Sequence, residues 1–276
     1  IFAVCQSSEM FFLSKEERLE LAKYVIEHGH EKGMGVVVSG NVAEKVEDQI
    51  AEAQAIIDMG PDSYVFISNQ FAAQDESEEV AKERIAYLLE HIHAESFGIY
   101  ECPYPYKRVL SPELLKCAET GKFAFLKDTC CDLDQLKAKC EAVKGTSLKI
   151  FNANAATLLE SMRYGVAGYS GVMANFHADL YAWLVEHFQD EDKQDKVEQM
   201  MAFLGATSMV ECQIYPVNCK YHMNLEGVPM SLVTRTRDPQ ELLMGKKVNE
   251  GLPSSKLLEI QQFKACEDMF RKAFFG

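Results

Sequence analysis

What most constrains this 276-residue chain is a regular alternation of short, fully apolar runs with longer amphipathic ones. "IFAVC", "GVVVSG", "SYVFIS", "FGIYE", "KFAFLK", "LKIFN" and "VAGYS" read in turn as strands. Strands that are apolar at every position are buried on both faces, which is how parallel sheets behave. Between them lie helical segments. "LSKEERLELAKYVIEHGH" opens with a capping box, Ser14 and Glu17, and Leu21, Val25 and His28 continue one face. "VAEKVEDQIAEAQAIIDMG" stops at Gly60, and "SPELLKCAETG" has Ser111 as cap with Pro112 in its first turn. Three more such segments and a helix over residues 172–188 complete seven strand–helix units.

Regular βα repetition leaves two architectures, an open doubly wound sheet or a (β/α)₈ barrel. No G-x-G-x-x-G follows the first strand, which weakens the dinucleotide-binding sheet. Units of about 25 residues favour the TIM barrel. Its missing strand and helix would have to precede Ile1, so the sequence is expected to begin inside the barrel. After residue 188 the rhythm changes to helices over 189–209 and 254–274 around an irregular piece at 215–249. The predicted organisation is a barrel domain over 1–188 and a helical C-terminal extension over 189–276.

Apolar residues make up 47% of the chain, enough for a sizeable core, and no run approaches a membrane span or a signal peptide. A net charge of −14 disfavours nucleic acid or anionic membrane as a partner. A cytoplasmic protein is expected. The nine cysteines are odd in number and form no C-x-x-C pair, so neither a disulfide framework nor a structural zinc fits. The adjacent Cys130 and Cys131 are read as ordinary thiols.

Barrels of this kind place their chemistry at the carboxyl ends of the strands. Those ends read "CQSSE", "SGN", "ISNQF", "YECP", "LKD", "FNAN" and "YSG". They contain no histidine and no acids at ligand spacing, so no metal site is expected. Lys127 and Tyr100 remain as groups capable of covalent and proton chemistry. An unperturbed lysine is only about 0.04% neutral at pH 7. Desolvation at the end of an apolar strand disfavours its ammonium form. A pKa of roughly 7–8 would raise the neutral fraction by two to three orders of magnitude, about 4 kcal/mol. A neutral lysine condenses with a ketone to a Schiff base, an electron sink for the adjacent carbon–carbon bond, and a tyrosine hydroxyl suits the proton shuttle. The plain alternative is a lysine that snorkels out of the rim.

"YECP", then a lysine 27 residues on in "LKD", then "GVAGYSGVMAN", resembles the dihydrodipicolinate synthase/N-acetylneuraminate lyase family of class I, Schiff-base aldolases on (β/α)₈ barrels. "CQSSEMFFLSKEER" sits where that family has G-T-T-G-E-x-x-x-L-S-x-x-E-R, and "CKYHMNLEGVPMSLVTRTRDP" is similar to its late segment. The resemblance implies Lys127 as the Schiff-base lysine and Tyr100 as the proton-relaying tyrosine. It implies Ser7 at the carboxylate-holding turn and Ser170 where a backbone carbonyl lines the pyruvate pocket. Gln6, Ser8, Phe71 and Asn152 join them as expected substrate-binding positions.

Three departures stand out. The relay threonine is Gln6 and the following glycine is Ser8. The tyrosine that synthases send into a neighbouring subunit falls at Phe71, which has no hydroxyl. The arginine for the aldehyde substrate's carboxylate falls at Pro105, with Lys107 or Arg108 as substitutes. The resulting expectation is a lyase or aldolase acting on pyruvate or a related 2-oxo acid, with a second substrate other than aspartate semialdehyde. Residues 69–71, Glu101, residues 104–107 and Asn152 would line the acceptor pocket. No cofactor is expected beyond the covalent imine on Lys127, and the partner besides the small-molecule substrate is a second copy, in a homodimer or homotetramer. The rivals are a true dihydrodipicolinate synthase with a rewired relay, and a barrel that binds a 2-oxo acid without turnover.

Overall fold

The computed structural model describes residues 1–236 and 255–276. Seven strands stand in one sheet in chain order: β1 (Phe2–Ala3), β2 (Val37–Ser39), β3 (Ser63–Ile67), β4 (Phe97–Tyr100), β5 (Phe123–Asp128), β6 (Lys149–Asn152) and β7 (Gly168–Tyr169). Each pair from β1 to β6 is parallel. The helices between them are α1 (Lys15–Glu31), α2 (Val46–Ile57), α3 (Glu78–His91), α4 (Leu133–Ala142) and α5 (Leu158–Arg163). Then come α6 (Ala174–His187), α7 (Gln194–Thr207), α8 (Val217–Leu225) and α9 (Ser255–Phe275). No helix among the described residues is long and apolar enough to cross a membrane.

The chain forms two compact units, residues 1–153 with 160–168, and residues 154–159 with 169–276. Compactness therefore divides it elsewhere than at residue 188, where the sequence rhythm changes. The second unit packs α6 to α9 on one another, with Phe203 stacked on Phe270 at 4.1 Å and Phe176 edge-on to Phe263 at 5.8 Å.

In the first unit the sheet curls. Phe2 of β1 lies 5.5 Å from the Tyr100 ring and 5.7 Å from Phe125. In a flat sheet β1 and β4 would stand roughly 14 Å apart, at about 4.8 Å per strand. Side chains pointing the other way build a second aromatic layer, Tyr64, Phe66, Phe97 and Phe123, with successive centroids at 5.2, 5.3 and 6.0 Å.

Local signals hold in detail at several points. The Ser14 hydroxyl accepts from the Glu17 amide at 3.2 Å while Glu17 accepts from the Ser14 amide at 2.8 Å, the expected capping box. Gly60 ends its helix at φ 80. Three expectations need correction. The buried stripe of α1 is Arg18, Ala22, Ile26 and Gly29, one position on from Leu21, Val25 and His28, and His28 is exposed. Arg18 is drawn inward by a bidentate pair with Glu52 of α2, at 2.6 and 2.8 Å, which apolar periodicity cannot reveal. Residues 111–121 hold a 3₁₀ helix, Leu114–Thr120, rather than an α-helix; its N-cap is Glu113, and the Ser111 hydroxyl accepts from the Leu114 amide at 3.1 Å. The stretch expected to be irregular from residue 215 contains α8, with Pro216 just before its first turn, where a missing N–H is harmless. The end of the late family-like segment, residues 237–239, lies outside the described residues, as does the rest of that stretch to 249.

The β4–β5 ladder carries an irregularity that decides what stands beside what. Phe97 pairs with Phe123, but Gly98 pairs with Phe125, so Ala124 is an extra residue in β5. Beyond that bulge Tyr100 pairs with Lys127. A one-residue slip would put Lys127 on the other face of the sheet. Gly98 makes room for the arrangement: a Cβ there would lie 3.0 Å from both Phe125 Cδ1 and Val65 Cγ2. Gly98→Val is therefore expected to lower stability by about 1–3 kcal/mol through overpacking. Urea unfolding will show it as a lower midpoint at unchanged slope, and an unchanged midpoint would mean that the ladder can spread.

Candidate active site

Lys127 is 6% exposed and Tyr100 4%. They are register partners at the carboxyl ends of β5 and β4, so their side chains share one face of the sheet. The Lys127 Nζ stands 4.6 Å from the Tyr100 ring centroid and 5.6 Å from that of Phe2. Two effects meet on this nitrogen. Burial disfavours a positive charge, whereas two aromatic faces stabilise one by about 0.5–2 kcal/mol each. The same faces would stabilise the cationic imine that a lysine amine forms with a ketone.

The loop after β1 sits over this end of the sheet's first strands. Val4 takes φ 50, a rare conformation for a β-branched residue, and Ser39 of β2 donates its hydroxyl to the Val4 carbonyl. The turn this produces folds Gln6–Ser8 into one 3₁₀ turn. Ser8 is occupied locally: its Oγ accepts from the Cys5 amide at 2.8 Å and donates to the Cys5 carbonyl at 3.0 Å. Ser7 Oγ lies 2.9 Å from Cys5 Sγ. Gln6 Oε1 accepts from the Cys102 thiol at 3.4 Å, which ties the β1 loop to the residues after β4. Burial pushes the Cys102 thiol up to about 11, against a backbone hydrogen bond at Tyr104, the Lys127 charge and the Tyr100 hydroxyl. The structure thus brings Lys127, Tyr100, Cys102 and Gln6 together. Cys102 lay in a strand-end segment, and that position was its only signal in the sequence.

Phe71 is 1% exposed and packs 5.9 Å from Phe66 in the core. Asn152 pairs with Asp128 rather than with Lys127, so alternation turns it to the opposite face, where its Nδ2 donates to Ser161 Oγ at 3.0 Å. The residue of β6 that pairs with Lys127 is Phe151. Ser170 is half-buried just after β7 and belongs to the second unit. Lys107 donates to the Thr129 carbonyl at 2.7 Å, and Arg108 to the carbonyls of Ala73 and, at 3.0 Å, Glu76. Asn69 is likewise committed, donating to the Cys102, Tyr104 and Tyr106 carbonyls at 3.1, 2.7 and 3.0 Å. Cys130 and Cys131 are unbridged. Burial and the adjacent Asp128 carboxylate push the Cys130 thiol up to about 12, far from a reactive thiolate.

Glu101 corrects the expected acceptor pocket. One residue beyond Tyr100, it faces the helices, as does Asp128 one residue beyond Lys127. Between the two carboxylates lies Lys139 of α4, its Nζ 2.6 Å from Glu101 Oε1 and 2.5 Å from Asp128 Oδ2, with all three side chains fully buried. Glu101 also accepts from the Leu110 amide at 2.8 Å and the Thr129 amide at 2.9 Å. The sequence did carry a signal. Lys139 falls on the same helical face as Leu136, Cys140 and Val143, an anomalous place for a lysine without a buried partner.

One ammonium cannot neutralise two carboxylates. Burial and the neighbouring Asp128 charge raise Glu101 from 4.5 to about 7, against the attraction of Lys139. Burial alone would lower Lys139, but the two carboxylates hold it above its ordinary value. Since folding favours the neutral form of Glu101, its contribution to stability is fully present below pH 4.5 and is lost as the pH rises through 7. Glu101→Gln, which cannot ionise, is expected to gain on the wild type by roughly 3 kcal/mol over that interval. Denaturant titrations at both ends will test this, and a constant difference would refute it.

A second ionic cluster, partly buried, lies in the second unit. The side chains of His222, Glu226 and Glu267 bring ligand atoms within 4.8 Å of one another. Protein cations already serve these carboxylates: Arg271 reaches Glu267 at 2.7 Å and Lys264 reaches Glu226 at 3.1 Å. Burial would raise Glu267, but hydrogen bonds from His222 and Arg271, with His177 3.8 Å away, hold it well below the usual carboxylate range. This arrangement is an ion-pair network that joins α6, α8 and α9.

Comparison with known proteins follows the same lines. The family model for the dihydrodipicolinate synthetase family matches residues 1–247. No curated protein sequence matches the chain. Among solved structures, the 4-hydroxy-tetrahydrodipicolinate synthase of Methylacidiphilum fumariolicum SolV is similar at a TM-score of 0.81 and 16% identity, covering 99% of this chain and 86% of that one. YagE, a prophage protein of Escherichia coli K12 in the dihydrodipicolinic acid synthase family, solved with pyruvate, gives 0.77 and 19%, covering 98% and 86%. The chloride-inhibited dihydrodipicolinate synthase of Acinetobacter baumannii, also solved with pyruvate, gives 0.77 and 18%, covering 96% and 86%. At these identities the likeness is one of fold.

Proposed function

The chain belongs to the dihydrodipicolinate synthetase family, and from that premise we propose that it is a Schiff-base-forming lyase or aldolase acting on pyruvate or a related 2-oxo acid. One observation carries the reading: the buried Lys127 Nζ stands against the Tyr100 ring at adjoining strand ends, 4.6 Å from its centroid. Two structural neighbours hold pyruvate, which supports the choice of substrate class. The curl that brings Phe2 of β1 onto Tyr100 and Phe125 supports a full (β/α)₈ barrel as the architecture.

In this reading the Lys127 amine attacks the ketone carbon, and the carbinolamine loses water to give a cationic imine. Loss of a proton from the adjacent carbon turns the imine into an enamine, the nucleophile for carbon–carbon bond formation; cleavage runs the same steps in reverse. Tyr100 relays the protons. The imine does the work of a cofactor. Its positive charge lies against the faces of Tyr100 and Phe2.

The second substrate is one other than aspartate semialdehyde. Phe71 has no hydroxyl and packs into the core, Pro105 stands where synthases place an arginine, and Lys107 and Arg108 are engaged by backbone carbonyls. The working form is a homodimer or homotetramer.

Borohydride reduction in the presence of pyruvate should add the mass of a reduced pyruvyl adduct to Lys127, and Lys127→Ala should take up none. Failure of the wild-type chain to be labelled by any of a panel of 2-oxo acids sinks the mechanism. Tyr100→Phe should still be trapped but turn over more slowly, on the order of 10²-fold, as followed by steady-state kinetics. Turnover at the wild-type rate would remove Tyr100 from the relay.

A further inference from the structure

The Lys127–Tyr100 pair and the Glu101–Asp128–Lys139 cluster are consecutive in sequence and lie back to back across the sheet. Tyr100 and Lys127 end β4 and β5 on one face, and the next residue of each strand turns to the other face and meets the same ammonium. Resting on the Schiff-base reading of Lys127, we propose that Glu101, Asp128 and Lys139 are positioning residues, which clamp the ends of β4 and β5 from behind and so set the spacing between the lysine amine and the tyrosine.

Three observations carry this. First, Lys139 bridges the two strand ends directly, and neither carboxylate has solvent to fall back on. Second, Glu101 reaches the reactive strand through its backbone as well. Its amide donates to the Lys127 carbonyl at 3.1 Å, and its own carbonyl accepts from the Thr129 hydroxyl at 2.7 Å. A displacement of Glu101 therefore moves the Lys127 peptide. Third, its carboxylate also holds Leu110 and Thr129, so one group fixes the exits of both strands. The bonds behind the strands are short and directional, so they define the strand ends closely. Misplacing a reacting group by about 1 Å can slow a reaction by 10²-fold.

The test separates positioning from mere stability. Glu101→Gln keeps the side chain's shape and one acceptor oxygen while loosening the clamp. Glu52→Gln makes the same change in the buried Arg18–Glu52 pair, which joins α1 and α2, and serves as the matched control. Both are assayed at a temperature where circular dichroism shows them folded. Glu101→Gln should slow borohydride trapping of pyruvate at Lys127 and lower kcat, each by about tenfold or more, with KM within about twofold. Glu52→Gln should trap at the wild-type rate although it loses the charge of a buried ion pair. Equal trapping rates for Glu101→Gln and the wild type would overturn the positioning role, as would equal slowing by the two variants. A wild-type chain that is never trapped fails earlier and for a different reason: it overturns the Schiff-base reading, and this proposal with it.

Discussion

The pairing of Tyr100 with Lys127 across the β4–β5 ladder is the constraint on which the rest of the site depends. It is not the pairing that an uninterrupted ladder from Phe97 and Phe123 would produce. The extra residue in β5 shifts the register by one, and Gly98 leaves the space that Phe125 needs beside it. Because side chains alternate strictly, this shift decides the face of every group beyond it. With it, the amine and the phenol come together, and the two acids meet behind them.

The sheet therefore separates two kinds of electrostatics within a single residue step. On one face a buried amine meets aromatic rings, which tolerate a cation and leave it able to change its bonding. On the other, an ammonium is held between two carboxylates with short, directional bonds. The pairing of full charges in a dry interior is weak evidence for stability, since desolvation offsets much of the attraction. Its clearer consequence is geometric definition, because the one ammonium holds both strand ends and removing it leaves two buried carboxylates facing each other. The surplus carboxylate records this imbalance in the raised protonation range of Glu101.

Much of this was legible in the sequence. The strand–helix alternation gave the parallel sheet, the Ser14–Glu17 box and Gly60 marked helix ends, and the apolar run ending at Lys127 marked a buried lysine at a strand end. The family resemblance of the strand-end segments agrees with the family match over residues 1–247. What stayed hidden was side-chain direction wherever a strand end bends or a ladder slips. Asn152 and Glu101 sit in strand-end segments and read as pocket residues, yet each faces the helices. Phe71 reads as a pocket residue and packs in the core. The inward turn of Arg18 depends on Glu52, 34 residues away, and helical periodicity carries no trace of it.

By itself the sequence determined the class of fold and the family, and singled out one lysine and one tyrosine at adjoining strand ends, because burial patterns and local caps are encoded within a few residues of one another. Only the tertiary structure decided which groups face Lys127. That depends on one bulge, one glycine and one lysine from a following helix, whose joint effect exists only when distant strands are paired.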